Sequence, residues 1–305
     1  MVGAGGLRSY VGAVLARAGH ETVFLARGAH ARALSADGLE IRTPDETVRV
    51  RTGCVTPDQD IPEADLVILA VKSYSLNDVA PMVRHLAQRG AVIVSLLNGV
   101  DVAERLEAAG VPGHRIVDGL AYLTAFRTEP GHVERKGRHQ RLVVGSSSGA
   151  DSDTVALVRS AFSNTGVTVT VAEDIGVALW SKMAVVCSLA VLCGMTGSAI
   201  GPIRAHPLGA SLQARAIREV LAVGRAAGVD IPTDTEATVG GILDGFPEDF
   251  YPSVLHDLRS GRPTEMEHLA GAVSRIGRRV DVPTPLADAA TCTVALVEAQ
   301  ATGAH

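Results

Sequence analysis

Apolar and polar positions change period along the chain. Thr22–Ala26 (TVFLA), Asp65–Val71 (DLVILAV) and Ala91–Leu96 (AVIVSL) are near-continuous apolar runs of strand length bounded by turn residues, the pattern of strands buried on both faces. Between them, Gly6–Ala18, Ala29–Ala36, Pro81–Gln88 and Val102–Ala108 read as helices. Such alternation predicts a doubly wound α/β domain with a parallel sheet covered on both sides. From about Leu120 to Val144 the pattern predicts short strands around a Glu129-Pro130-Gly131 turn, an antiparallel extension of the sheet. A helix over Asp153–Asn164 and a strand over Gly166–Val171 close the unit. After Glu173 the pattern is helical, broken at Gly201-Pro202, Pro232, Pro247, Pro252 and Val282-Pro283-Thr284-Pro285. The expected division is an α/β domain over residues 1–172 and an all-helical domain over 173–305.

No charge occurs between Met183 and Ile203. That length meets the rule of about 20 residues for a membrane span. Ser188, Gly194, Thr196, Gly197, Ser198, Gly201 and Pro202 interrupt it and no aromatic belt flanks it, so a buried core helix is expected and no membrane partner. The 305 residues carry 33 Asp and Glu against 28 Lys and Arg, a net charge of -5, which argues against phosphate-backbone binding and hence against a nucleic-acid partner. Cys54, Cys187, Cys193 and Cys292 lack CxxC spacing and read as reduced core thiols of a cytoplasmic protein. The ten histidines show no HExxH or comparable pairing, and no metal is expected.

The opening Met1-Val2-Gly3-Ala4-Gly5-Gly6-Leu7-Arg8 carries two of the three glycines of a dinucleotide-binding turn. There the first glycine allows the tight turn, the second lets a pyrophosphate approach the backbone, and the third brings helix and strand together. Gly3 and Gly5 are in place; the third position is Arg8. Its cation can lie beside a pyrophosphate or obstruct one. Only two residues precede Gly3, where a strand of about five or six is expected, so the first strand reads as truncated and the chain as starting downstream of its true start. The second strand ends Phe24-Leu25-Ala26-Arg27. With no acid to hold a ribose 2′-hydroxyl, and with Arg27 and Arg32 to meet a 2′-phosphate, the turn favours NADP over NAD.

Three of the 28 basic residues are lysines. Against so strong an arginine bias, a retained lysine is a candidate for work that needs a compact, titratable ammonium. Lys72 follows a buried strand at its C-terminal end, where open α/β sheets bind ligands. Asn98 holds the equivalent place after the next strand. Lys182 heads the uncharged helix in Trp180-Ser181-Lys182, and Lys136, in the basic run 135–141, reads as an exposed hairpin tip. Ser253, Asp257, Thr264 and Glu265 cluster on helices near the end of the chain.

Taken together, GAGGLRSYVGAVLARAGHETVFLAR, AVKSY, LLNGV, LWSKM, PSVLHDLRSGRPTEME and VPTP resemble, in order and spacing, the ketopantoate reductase (2-dehydropantoate 2-reductase) family over nearly the whole chain. The resemblance implies an N-terminal Rossmann-like NADP-binding domain followed by a helical domain, with a 2-keto acid reduced by NADPH in a cleft between them. It implies Lys182 as the general acid and Glu265 as the group that holds that lysine or the nascent hydroxyl. It also implies Lys72 and Asn98 on the nicotinamide and substrate side, Ser253 on the substrate carboxylate, and Gly3, Gly5, Gly6, Leu7, Arg8 and Arg27 around the rest of the cofactor.

The chain departs from the family pattern where members commonly carry asparagines. One and two turns after the lysine stand Val186 and Ala190, Phe250 precedes the serine by three residues, and Ala270 follows the glutamate. The expected substrate is a small carbonyl compound, a 2-keto acid more apolar than ketopantoate. A true ketopantoate reductase and a non-catalytic NADP-binding regulator are the competing readings. A homodimer through the helical domain is compatible with the sequence.

Overall fold

The structure is a computed structural model that describes residues 1–3 and 5–302. It divides into two compact units. One comprises Met1–Leu97 and Val102–Ile175; the other comprises the short loop Asn98–Asp101 and the chain from Gly176 onward.

In the first unit the order is α1 (Gly6–Arg17), β1 (Val23–Leu25), α2 (Gly28–Asp37), β2 (Leu39–Arg42), β3 (Thr47–Val50), β4 (Gly53–Val55), β5 (Leu66–Leu69), α3 (Leu76–Gln88), β6 (Val92–Ser95), α4 (Val102–Ala108), β7 (Ile116–Glu129), β8 (His132–Gly145), α5 (Ser152–Ala161) and β9 (Thr168–Val171). β5, β6 and β7 run parallel, as their apolar runs predict. The sheet as a whole is mixed, in the order β3-β2-β8-β7-β6-β5, with β9 also paired to β8. β7 pairs antiparallel with β8, and β2 antiparallel with β3. β1 pairs with β4, and Val2 bridges Leu25 on one side and Leu69 on the other. Met1 and Val2 therefore occupy the first-strand position, with Val2 N–H on the Ile68 carbonyl (2.9 Å) and Leu25 N–H on the Met1 carbonyl (2.9 Å).

The hairpin corrects the sequence reading. Its turn is the expected Pro130-Gly131, with Gly131 at φ 78°, but each arm is 14 residues long. Lys136 is not at the tip: it lies within β8 opposite Thr124, and its amine sits over the Phe126 ring. A basic run looks like a solvated turn, yet one face of a half-exposed strand accommodates it equally well. β2, β3 and β4 carry no apolar run that the sequence pattern singles out. α3 begins at Leu76 and holds Pro81 inside it, although a proline is the usual first residue of a helix.

The second unit is helical, with α6 (Ile175–Thr196), α7 (Ile200–Ala205), α8 (Gly209–Ala226), α9 (Thr235–Asp244), α10 (Ser253–Arg259), α11 (Ala270–Arg279) and α12 (Pro285–Thr302). α6 is long and apolar enough to cross a membrane, but Trp180, Met183, Ala184, Cys187, Leu189 to Cys193 and their neighbours form the unit's core. Bare backbone lets the helices close on one another. A Cβ on Gly224 of α8 would lie 2.7 Å from the Trp180 ring, and one on Gly194 of α6 would lie 2.8 Å from Met266. Cys187 and Cys193 are buried thiols, pushed up to about 12 and about 11 by burial. Cys292 is exposed and Cys54 half-buried, so the expectation of four core thiols holds for two.

Candidate active site

α1 starts directly from the glycine turn. Gly3 has φ 116°, a conformation that favours glycine, and a side chain there would collide with Arg8 and lie 2.7 Å from the Ala70 carbonyl oxygen. Gly5 caps α1 without a side-chain hydrogen bond, and a Cβ on it would meet nothing within 4 Å. The first-turn N–H groups of a helix have no intrahelical partner, and beside open space they suit a pyrophosphate. The close helix packing assigned to a third glycine is carried by others. A Cβ on Gly6 would collide with the Ala125 carbonyl, and one on Gly12 with the Phe24 ring. Leu7 is half-buried beside them.

Arg8 is fully buried. Its three guanidinium nitrogens have no hydrogen-bond partner among the described residues. Burial, and then the charge of Arg127, lower its pKa to about 9, so it stays protonated at neutral pH. Arg27, in extended backbone, caps α2 and is exposed, as is Arg32. A cation at the end of β1, open first-turn N–H groups at Gly5 and a buried guanidinium without an anion together fit a phosphorylated dinucleotide.

Lys72 is half-buried just beyond β5, its carbonyl accepting the Ser75 N–H at 2.8 Å. Arg105 of α4 donates to the Ser73 carbonyl at 2.9 Å and so fixes the turn that carries Lys72.

The remaining candidates belong to the helical unit. Lys182 is the sole charged residue of α6 and is partly buried. Desolvation lowers its pKa from the ordinary 10.5 to about 8. Glu265 is 6% exposed, and its backbone is held firmly: its carbonyl accepts the His268 and Leu269 N–H groups at 2.9 and 3.0 Å. The preceding Thr264 N–H donates to Glu298 of α12 at 2.7 Å. Ser253 is the exposed first residue of α10.

Asn98 is half-buried in the loop ending at Asp101, with Gly99 at φ 131°. Arg275 of α11 reaches Asp101 at 3.5 Å and also donates to the Glu267 carbonyl at 3.1 Å. One arginine thus ties the Asn98 loop to the segment carrying Glu265. Sequence reasoning missed Arg275 and Arg127, because nothing local distinguishes a bridging or charge-setting side chain from a solvated one.

Where asparagines are common in the family, this chain places apolar matter. Val186 is half-buried against the core, Ala190 and Ala270 are fully buried, and Phe250 stacks on Phe246 with ring centroids 4.1 Å apart.

Comparison with known proteins agrees with this architecture. The ketopantoate reductase PanE/ApbA family model matches residues 1–149 and its C-terminal counterpart residues 174–298. The chain is 33% identical to the 2-dehydropantoate 2-reductase of Halobacterium salinarum over 93% of each chain. It is 29% identical to that of Mesorhizobium japonicum over 96% of this chain and 95% of the relative. The crystal structure of a PanE/ApbA family ketopantoate reductase from Ralstonia eutropha JMP134 superimposes with a TM-score of 0.87 at 28% identity, covering 99% of this chain and 100% of that one. The chain therefore belongs to the ketopantoate reductase family of oxidoreductases.

Proposed function

We propose that this enzyme reduces a 2-keto acid to the 2-hydroxy acid with NADPH, with Lys182 as the general acid, and that its substrate is more apolar than ketopantoate. The observation that carries the reading is the Lys182 amine, which burial in α6 brings to about 8. A proton donor works best when its pKa lies near the working pH.

A bound nicotinamide dinucleotide would supply the hydride for the carbonyl carbon. Negative charge then develops on the carbonyl oxygen, and the Lys182 ammonium stabilises it and donates its proton there. Arginine would offer the charge without giving up a proton. Glu265, held by α12 through Thr264 and buried, keeps the lysine or the nascent hydroxyl in place. Ser253 donates to the substrate carboxylate. Lys72 and Asn98 orient the reacting end, and Arg27 holds the 2′-phosphate while Gly3, Gly5, Gly6 and Leu7 present the backbone around the pyrophosphate.

Val186, Ala190, Phe250 and Ala270 support the apolar substrate. A pocket that has lost amide partners leaves a polar substrate's hydroxyl unpaired, at a cost of about 1 to 3 kcal/mol for each lost bond. The test is NADPH oxidation followed at 340 nm with ketopantoate and a panel of bulkier, apolar 2-keto acids, alongside Lys182→Ala. Lysine-dependent turnover that favours the apolar acids is expected. A higher kcat/KM for ketopantoate makes the protein a true ketopantoate reductase, the reading favoured by the names of its relatives. NADPH binding without turnover of any of these acids would overturn the catalytic reading.

A further inference from the structure

In the helical unit α8 and α9 pack against each other and border a cleft of about 660 Å³, within the roughly 300 to 1,000 Å³ of small-molecule sites. Its floor is aliphatic, made by Ala210, Ala214 and Ile217 of α8 and by Ala237 and Gly240 of α9. Gly240 leaves its part of the wall bare: a Cβ on it would meet nothing within 4 Å. None of the residues assigned to keto-acid reduction or to the dinucleotide lines this cleft.

The polar groups along it differ in what they already bind. Arg204 of α7 is held by backbone. Its guanidinium donates to the Leu243, Asp244 and Phe246 carbonyls at 3.4, 2.6 and 2.8 Å and so closes the C-terminal end of α9. Glu236 pairs with Arg218 at 3.4 Å. Gln213 is 7% exposed, and its Nε2 donates to Asp244 Oδ1 at 2.9 Å. An ionised carboxylate only accepts, so this contact fixes which end of the amide is which. The amide oxygen is left buried with no hydrogen-bond partner among the described residues. A buried acceptor without a donor is destabilising. Asp244 itself is exposed, and no cation pairs with its carboxylate among the described residues. A donor and a positive charge are therefore what the cleft lacks, beside a short aliphatic wall.

We propose that the α8–α9 cleft binds a small aliphatic ammonium ion, whose N–H groups donate to Gln213 Oε1 and to the Asp244 carboxylate while its carbon body lies on Ala214, Ile217 and Ala237. An ammonium supplies three donors from one atom, enough for both acceptors. An anion is disfavoured by the same groups, since Asp244 and Glu236 repel it and the bordering guanidinium is held by three carbonyls. The site stands independently of the reductase reading.

The experiment titrates the full-length protein with isobutylammonium, isobutanol and isobutyrate at constant ionic strength, following binding by ligand-observed NMR and checking the fold of each variant by thermal unfolding. Isobutylammonium is expected to bind saturably, and the alcohol and the carboxylate not to. Asp244→Asn should weaken isobutylammonium on the order of 10-fold or more, the weight of a charge-assisted bond, and Gln213→Met by roughly 5- to 10-fold, the weight of a neutral one. Gly240→Phe should abolish binding by filling the cleft, in a position where the helix accepts a side chain. Should Gln213→Met not fold, Asp244→Asn and Gly240→Phe carry the test, since neither replaces a buried side chain.

Absence of saturable binding would overturn the proposal. So would equal affinity for isobutanol, which would make the cleft an apolar site without charge recognition, or a preference for isobutyrate, which would make Arg204 its binding group. Isobutylammonium binding untouched by Asp244→Asn and Gly240→Phe would place the ion elsewhere and equally sink the assignment.

Discussion

Arg8 on α1, fully buried, and Lys182 on α6, partly buried, are basic side chains in the first half of a helix, and they answer desolvation differently. The guanidinium falls to about 9 and the ammonium to about 8. At neutral pH both are charged, but only the lysine lies close enough to neutrality to pass its proton on within the working range. A delocalised guanidinium instead offers several fixed N–H donors, which suits an oxyanion that must be held and not protonated. In a chain whose basic residues are almost all arginine, the single lysine of α6 is the one suited to the proton transfer proposed above. Burial thus leaves a titratable amine in one unit and a permanent cation in the other, the difference lying in the side chain.

The comparison is sharpest at Lys182. Lys182→Ala should lower kcat for keto-acid reduction by about 10²- to 10⁴-fold, the usual weight of a general acid, read as NADPH oxidation at 340 nm. Lys182→Arg should be nearly as slow, since it keeps the charge without the transferable proton, and a variant retaining wild-type kcat would break the assignment.

Arg27 tests the exposed counterpart of Arg8. Arg27→Ala should weaken NADPH by about 10- to 100-fold, the weight of a charge-assisted bond, and leave NADH affinity nearly unchanged. Loss of both cofactors equally would assign Arg27 a structural role.

Polar content beside the lysine comes next. Val186→Asn should improve kcat/KM for ketopantoate relative to an apolar 2-keto acid by roughly 5-fold or more, about 1 kcal/mol for a regained hydrogen bond. No change in that ratio would place Val186 outside the substrate's reach.

The pH profile reads the same lysine without a substitution. Reduction needs the protonated amine, so kcat/KM should fall tenfold per unit as pH rises above about 8. Between pH 8 and the ordinary 10.5 the unfolded chain binds the Lys182 proton while the native one releases it. Its unfavourable contribution to stability is therefore full below 8 and fades as pH rises to 10.5. Urea unfolding at pH 8 and 10, with Lys182→Met as reference, should show the wild type gaining relative to the variant.

Much of the α/β order was legible because buried parallel strands write themselves as apolar runs. Leu66–Leu69 and Val92–Ser95 lie inside the expected segments. β2 to β4 were not legible, being short and half-exposed, with charged residues such as Glu40, Arg42 and Arg49 on their open face. The full length of β7 and β8 was hidden for a related reason. Register shifts between Tyr122 and Thr124 and between Arg127 and Glu129 break the period-two pattern that would announce a 14-residue strand.

The sequence by itself determined the α/β-then-helical order, the positions of Lys72, Asn98 and Arg27 at strand ends, and the rarity that singles out Lys182. These follow from local composition and periodicity, which short-range physics fixes. Tertiary structure alone decided that Arg8 is buried against Gly3 without an acceptor among the described residues, that Gly6 and Gly12 replace the missing third glycine, and that Arg275 joins the Asn98 loop to the Glu265 segment. Desolvation and close approach depend on residues far apart in the chain, such as His30 and Gly131 or Asp101 and Arg275, and no local pattern encodes them.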